Sequence, residues 1–354
     1  MTKDLNIQSI FVQCPTWVGD FIMCTPSVRA LRKKYPQAQI TLCMAPLMKH
    51  LVEGASYYDH LIFYDKKKKH KGVRGLLAFR RELRKNKYDL AVIFPNSIRT
   101  GLVAFFTGAK KRIGYERFGK FILLTDTLKR PLENGKKMPV YTGGYYAKLL
   151  GLIDATPESL YPELPILPET ANTAKEYWQK ATNSSSFKMV MTPGAKFGSS
   201  KLWPARHWAT LIDLLHEKYQ ANIMMVPGPE DKVITTEIAE LAKSSFYIHP
   251  PSPEGLTTLK AFIEQADVLV CNDTGPRHIA HAFRTPSVVL MGPNDPRHTE
   301  TPLENTLVTR NEGLECMPCN LKICPYAHHA CMQELSPHKV LANIEKILKK
   351  EGKL

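Results

Sequence analysis

Short apolar runs alternate with helix-length amphipathic stretches along most of this chain, and that alternation sets the expected architecture. In the first half, residues 9–13, 40–44, 61–64 and 90–94 are apolar runs of four or five residues. A helical pattern ending at Lys34 follows the first run, and a basic helix over about 73–86 precedes the fourth. Runs this short, mainly apolar and separated by helices, predict a parallel sheet covered on both faces.

The pattern restarts after a proline-rich stretch at 154–170 (Pro157, Pro162, Pro165, Pro168), which reads as a linker. Strands are expected at 188–192, 221–226, 268–271 and 287–290. Helices are expected at 205–219, about 231–243 and 256–265, with an amphipathic, lysine-ended helix at 337–349. A chain of 354 residues exceeds the ~250–300 that one core sustains. The expected fold class is therefore α/β, with two doubly wound Rossmann-like domains at 1–165 and 170–335 and a C-terminal helix in 336–354. In such a pair, a ligand crevice is expected at the carboxyl ends of the strands of both sheets.

Composition narrows the class. An apolar fraction of 44% and a charged fraction of 23% are those of a soluble globular protein. No apolar run reaches the ~18–20 residues of a transmembrane helix. Residues 1–7 lead straight into a strand pattern without a secretory signal, so a cytoplasmic location is expected.

Lysine and arginine total 48 against 33 acids, a net charge of +15, which calls for an anionic partner: nucleic acid, a phosphorylated substrate or an anionic lipid surface. The excess is dense in the first half, in Arg32-Lys33-Lys34, the run 66–71 broken only by His70, Arg80-Arg81, Arg84-Lys85 and Lys110-Lys111-Arg112. Each cluster alone reads as a solvated helix face or a flexible loop; several in one domain favour an anionic partner there. Nucleic acid is disfavoured, because the clusters lack interleaved aromatics and no zinc-finger or helix-turn-helix signature occurs.

Three loops carry candidate chemistry. Pro15-Thr16-Trp17-Val18-Gly19-Asp20 joins the first strand to its helix. Gly19 permits close backbone approach to a ligand, and Asp20 is either a helix N-cap or a base for an acceptor hydroxyl. The loop Thr192-Pro193-Gly194-Ala195, followed by Lys201-Leu202-Trp203-Pro204, sets small residues, a lysine and a helix start after a strand, a phosphate-binding arrangement. Asn272-Asp273-Thr274-Gly275, with His278 one turn on, opens another helix after a strand. Its amides and the Thr274 hydroxyl suit a diphosphate, and Asp273 could hydrogen-bond sugar hydroxyls. Glu230 is expected near a ribose, with Asp231 as the competing carboxylate. Cations aimed at a leaving diphosphate and one carboxylate to deprotonate a nucleophile are what glycosyl transfer with inversion requires.

Taken in order, these motifs, with Pro95-Asn96-Ser97 and Gly108 to Gly114, resemble the lipopolysaccharide heptosyltransferases of glycosyltransferase family nine over nearly the whole chain. Trp17 before Val-Gly-Asp, with Asn96 and Ser97, is similar to the members that add the second heptose of the inner core. The resemblance implies a GT-B architecture with an interdomain cleft, inversion with no cofactor, and ADP-heptose as donor. It makes Asp20 the base and sets Trp17, Gly19, Asn96 and Ser97 on the acceptor side. Thr192, Gly194, Lys201, Glu230, Asp273, Thr274, Gly275 and His278 then form the donor site. It implies a heptosyl-Kdo-lipid A acceptor at the inner leaflet, peripheral membrane association, and a C-terminal helix packing back on the first domain. Another sugar-nucleotide transferase or epimerase on the same plan is the alternative. Cys316, Cys319, Cys324 and Cys331 lie within sixteen residues, and zinc, a disulfide or reduced packing thiols all remain open for them.

Overall fold

The computed structural model describes residues 6–117, 119–133, 135–181, 187–250 and 255–354. Residues 1–5, part of the stretch read above as leading into the first strand, lie outside that set. The chain divides into two units, Met1–Pro165 and Ile166–Leu354.

The first unit runs β1 (Ser9–Gln13), α1 (Val18–Lys34), β2 (Gln39–Met44), α2 (Lys49–Val52), β3 (His60–Phe63), α3 (Gly72–Leu83), β4 (Leu90–Ile93), α4 (Ile98–Thr107), β5 (Lys111–Tyr115) and β6 (Asp126–Leu128). A two-residue hairpin, β7 (Leu132–Glu133) and β8 (Lys136–Lys137), and α5 (Thr142–Leu149) complete it. The second unit runs α6 (Pro168–Ala181), β9 (Lys188–Thr192), α7 (Ala205–Tyr219), β10 (Asn222–Met225), α8 (Lys232–Leu241), β11 (Tyr247–Ile248) and α9 (Gly255–Glu264). It continues with β12 (Val268–Asn272), α10 (Gly275–Phe283), β13 (Ser287–Leu290), β14 (Thr306–Thr309), α11 (Ala330–Gln333) and α12 (Pro337–Lys350).

Both sheets are six-stranded, ordered β3-β2-β1-β4-β5-β6 and β11-β10-β9-β12-β13-β14. Every pairing in them is parallel. Every residue of β4, β10, β12 and β13 is buried. These strands lack polar alternation because helices cover both faces. In each unit the chain winds outward from its first strand and then returns to that strand's other side. Strand order therefore reverses between β1 and β4 and again between β9 and β12, where a doubly wound sheet opens its binding crevice. In register, Gln13 stands beside Ile93 and Thr192 beside Cys271. The candidate loops leave the carboxyl ends of these central strands.

Strands β5 and β6 escaped the sequence reading. The Lys110-Lys111-Arg112 cluster masks the start of β5, of which only Ile113, Gly114 and Tyr115 are buried. The C-terminal helix also departs from expectation. α12 was expected to pack back on the first domain, yet Val340, Ile344, Ile347 and Leu348 are buried in one core with Trp203, Trp208 and Leu215 of the second unit. Its start is fixed locally, since the Ser336 hydroxyl accepts from the His338 N–H at 3.2 Å. Cutting a fully buried isoleucine back to alanine leaves a cavity worth about 2–4 kcal/mol. Ile344→Ala should lower the stability of the second unit by that amount in urea unfolding; an unchanged midpoint would contradict the packing described for α12.

Candidate active site

At the first unit's reversal point, β1 ends and α1 begins with Trp17 as its N-cap residue. Trp17 is extended, offers no side-chain cap and is 47% exposed. Asp20 lies inside the first helical turn, so the N-cap reading does not hold for it. Its carboxylate suits the positive end of α1. Asp20 and Gly19 are half-buried. Burial raises the Tyr146 phenol on α5 and the Cys24 thiol one turn along α1, and in both the negative charge of Asp20 adds to that rise.

The loop after β4 supplies the other lip. Ser97 is the N-cap of α4, its hydroxyl accepting from the Thr100 N–H at 3.2 Å, which explains its place in the motif as local capping. Asn96 donates through Nδ2 to the Tyr145 hydroxyl at 2.9 Å, and that tyrosine ring stacks on Tyr115. The amide oxygen of Asn96 is buried and has no partner among the described residues, as a group awaiting a ligand donor would be.

The second unit's reversal point is built around a buried chain of charges. Lys201 donates through Nζ to the Asp273 carbonyl at 2.6 Å and to its carboxylate at 2.8 Å. The same carboxylate accepts from Asn294 at 2.7 Å and from Arg277 at 3.1 Å. Arg277 reaches on to Glu304 at 2.5 Å and to the Thr299 hydroxyl at 3.1 Å. Burial works against ionising Asp273, but Lys201 and Arg277 outweigh it and hold its carboxyl well below the usual range. The residue is 3% exposed and already serves three side-chain donors, so it orients Lys201 and Arg277.

Around this chain sit the remaining residues of the donor motif. Thr192 ends β9 with its hydroxyl buried and without a partner among the described residues. Asn272 ends β12 and donates to the Pro193 carbonyl at 2.6 Å, tying the two loops together, while its own Oδ1 is buried without a partner among the described residues. Thr274 is the N-cap residue of α10, with its hydroxyl on the Asn272 carbonyl at 3.2 Å. Gly275 opens the helix whose positive end points at this loop. His278 is buried; burial and the adjacent Arg277 charge keep it neutral.

Gly194 is needed for space, since a Cβ there would lie 1.9 Å from Asp231 Oδ2. Asp231 folds back to accept from the Gly228 N–H at 2.7 Å. Glu230 is exposed and faces Lys196 at 3.7 Å. Of the two competing carboxylates, the structure sets Asp231 against the Thr192–Gly194 loop and leaves Glu230 outside it.

The four C-terminal cysteines line one small enclosed void, and all are free thiols. Among the described residues no three His, Cys, Asp or Glu side chains form a group placed to hold a metal ion. Their segment braces the Lys201 turn. The Lys322 carbonyl accepts from the Ser200 N–H at 3.1 Å, and the Ser200 hydroxyl donates to the Leu321 carbonyl at 2.6 Å. A Cβ on Gly198 would meet that Lys322 oxygen at 2.1 Å.

The second unit's reversal point thus holds a helix N-terminus with a buried lysine, and the first unit's holds a carboxylate. The comparison that decides the family is the match of residues 76–330 to glycosyltransferase family 9 (heptosyltransferase). The chain belongs to that family. It is 26% identical over 364 aligned residues to lipooligosaccharide heptosyltransferase 2 of Haemophilus ducreyi, covering 96% of this chain and 99% of that one. It is 27% identical to lipopolysaccharide heptosyltransferase 2 of Escherichia coli, covering 97% and 99%. Among solved structures, the family 9 glycosyl transferase of Veillonella parvula superposes with a TM-score of 0.83 at 20% identity, over 99% of this chain and 100% of that one. E. coli ADP-heptose LPS heptosyltransferase II gives 0.76 at 24% identity, over 97% and 99%. As a family 9 member the chain is a glycosyltransferase of GT-B fold, and the epimerase alternative is not favoured.

Arg277, Asn294 and Glu304 were not read as site residues from the sequence. Arg277 follows Asp273 at the i,i+4 spacing of a helical ion pair, a signal present in the motif. Asn294 and Glu304 carry no such mark.

The buried histidine beside this chain gives a pH test. His281 is lowered to about 4 by burial and by the Arg277 charge, and it lies 3.7 Å from Glu304. An unfolded histidine titrates near ~6.5, so between these values the unfolded chain binds the extra proton and folding stability falls with falling pH. Wild type should lose up to ~3 kcal/mol relative to His281→Gln as pH drops from about 6.5 to 4. Parallel stability curves for the two proteins across that window would contradict a buried neutral His281.

Proposed function

We propose that this heptosyltransferase moves L-glycero-D-manno-heptose from ADP-heptose onto the heptosyl-Kdo-lipid A inner core of lipopolysaccharide, with inversion at the anomeric carbon. The observation that carries the reading is the Lys201–Asp273–Arg277 chain at the N-terminus of α10. Departure of ADP builds negative charge on the diphosphate. An ammonium and helix amides already fixed in place stabilise that charge without reorganising. Lys201 and the Thr274–Gly275 amides take this part, and Asp273 holds Lys201 for it. Thr192 and Gly194 form the opposite wall, and Asp231 is the carboxylate offered to the ribose side.

Asp20 is the base that takes the proton of the acceptor hydroxyl as it attacks. Trp17 presents an exposed indole and Asn96 an unpartnered amide oxygen, both suited to a sugar acceptor. The names of the relatives, lipopolysaccharide and lipooligosaccharide heptosyltransferase 2, support the second inner-core heptose as the product. No helix of the described residues is long and apolar enough to cross a membrane. The reading therefore has a cytoplasmic protein meeting its lipid-borne acceptor from outside the bilayer, at the inner leaflet.

Removing a positioned base costs about 10²–10⁴ in rate. Asp20→Ala should show that loss in ADP release with heptosyl-Kdo-lipid A, with ADP affinity within about twofold of wild type. Near-normal turnover would strip Asp20 of its role. Lys201→Ala should weaken ADP binding by about tenfold or more, the scale of a lost charge-assisted bond. Unchanged nucleotide affinity in a folded Lys201→Ala protein would move the donor site elsewhere.

A further inference from the structure

The basic run at 66–71 belongs to no motif of the transfer site, and the structure gives it a definite shape. Between residues 66 and 87 the chain carries eleven lysines and arginines against a single acid, Glu82. The expected flexible loop is a fixed turn. His70 is fully buried between the rings of Tyr64 and Phe79, and its Nδ1 accepts from the Asp65 N–H at 3.1 Å. Asp65 Oδ1 in turn accepts from the N–H groups of Lys67 and Lys68, both at 3.0 Å. The effect is to bury the one histidine and turn the surrounding lysines out to solvent. Among the described residues Lys69 is the only lysine of this run with a carboxylate partner, Glu82 at 2.7 Å, which also lies 3.5 Å from the buried His70 ring.

The turn leads directly into α3, which is apolar on two sides. Gly75, Leu76, Phe79 and Leu83 face the unit's interior. Val73 and Leu77, one turn apart, face outward at 74% and 47% exposure. Arg80, Arg81 and Arg84 continue the same outward stripe at i+3, i+4 and i+7 from Leu77. An exposed aliphatic pair flanked by long cationic side chains is the composition of a helix lying in a lipid interface. Nucleic acid would call for stacking aromatics, and this stripe has none.

We infer that the 66–71 turn and the outer face of α3 dock this protein on an anionic phospholipid surface, with Val73 and Leu77 entering the headgroup layer and the lysines pairing with lipid phosphates. The inference rests on the membrane-borne acceptor proposed above and names the surface that meets the membrane. Vesicle partition reads the lipid contact alone, whereas ADP release reads sugar transfer, so the two can fail separately.

The test is co-sedimentation of the full chain with phosphatidylglycerol-containing vesicles and with pure phosphatidylcholine vesicles. Each lysine near an anionic surface contributes roughly fivefold in partition, so Lys66→Gln, Lys67→Gln and Lys68→Gln together should lower binding by about a hundredfold at low salt. Val73→Ser with Leu77→Ser should lower it by about tenfold and persist at high salt, where charge is screened. The same charge removed from the other unit, as Lys346→Gln, Lys349→Gln and Lys350→Gln, should leave partition within about twofold. Should the loop triple misfold, Arg74→Gln with Lys85→Gln carries the expectation at about twenty-five-fold.

Equal losses in the two triples would overturn the inference, because binding would then follow diffuse net charge. So would wild-type binding indifferent to lipid charge, or preferential capture of duplex DNA through the same lysines.

Discussion

Lys201 and Arg277 share one carboxylate, that of Asp273, in the interior of the second unit, and much of that unit's site follows from the arrangement. Buried charges are tolerated only in pairs with their hydrogen bonds made. Lys201 must therefore stand where Asp273 holds it, and the 198–201 turn must close tightly enough to deliver it. The Cys-rich segment secures that turn through the Lys322 and Leu321 carbonyls. On the far side, Glu304 and Thr299 complete the coordination of Arg277. Removing one member of such a chain leaves an uncompensated charge, at ~3–5 kcal/mol. The chain thus acts as a positioning device, fixing a cation at a helix N-terminus, the place proposed for the donor's diphosphate.

The first unit uses the same sheet topology for a different end. Where the second unit has a lysine and a helix of converging amides, the first has Asp20 in the opening turn of α1 and Asn96 with an oxygen unpartnered among the described residues. One fold, used twice, presents a buried lysine at a helix N-terminus in one copy and a carboxylate in the other. The remaining surface of the first unit is cationic, and the ordered turn around His70 makes part of that charge a fixed feature.

The strands were legible because they are buried on both faces: 189–191, 268–271 and 288–290 are apolar runs without polar alternation. The candidate loops were legible because small residues after a strand have few other uses. What stayed hidden had competing local signals. Basic residues disguised β5, and capping chemistry made Ser97 look like a ligand contact. Asp273 read as a free acceptor because Asn294 and Glu304, distant in sequence, gave no sign of approaching its neighbourhood. Glu230 and Asp231 differ by one position, and only the close approach of Gly194 to Asp231 separates them. The amphipathic pattern of α12 fixed a buried face but not the core that receives it, which is the second unit's own.

The most direct test is a crystal structure of the protein with ADP bound. The account predicts the diphosphate at the N-terminus of α10, within hydrogen-bonding distance of the Lys201 ammonium and the Gly275 amide, with the Lys201–Asp273 pair intact. A diphosphate seated on the loops after β1 and β4, or away from Lys201 altogether, would contradict it.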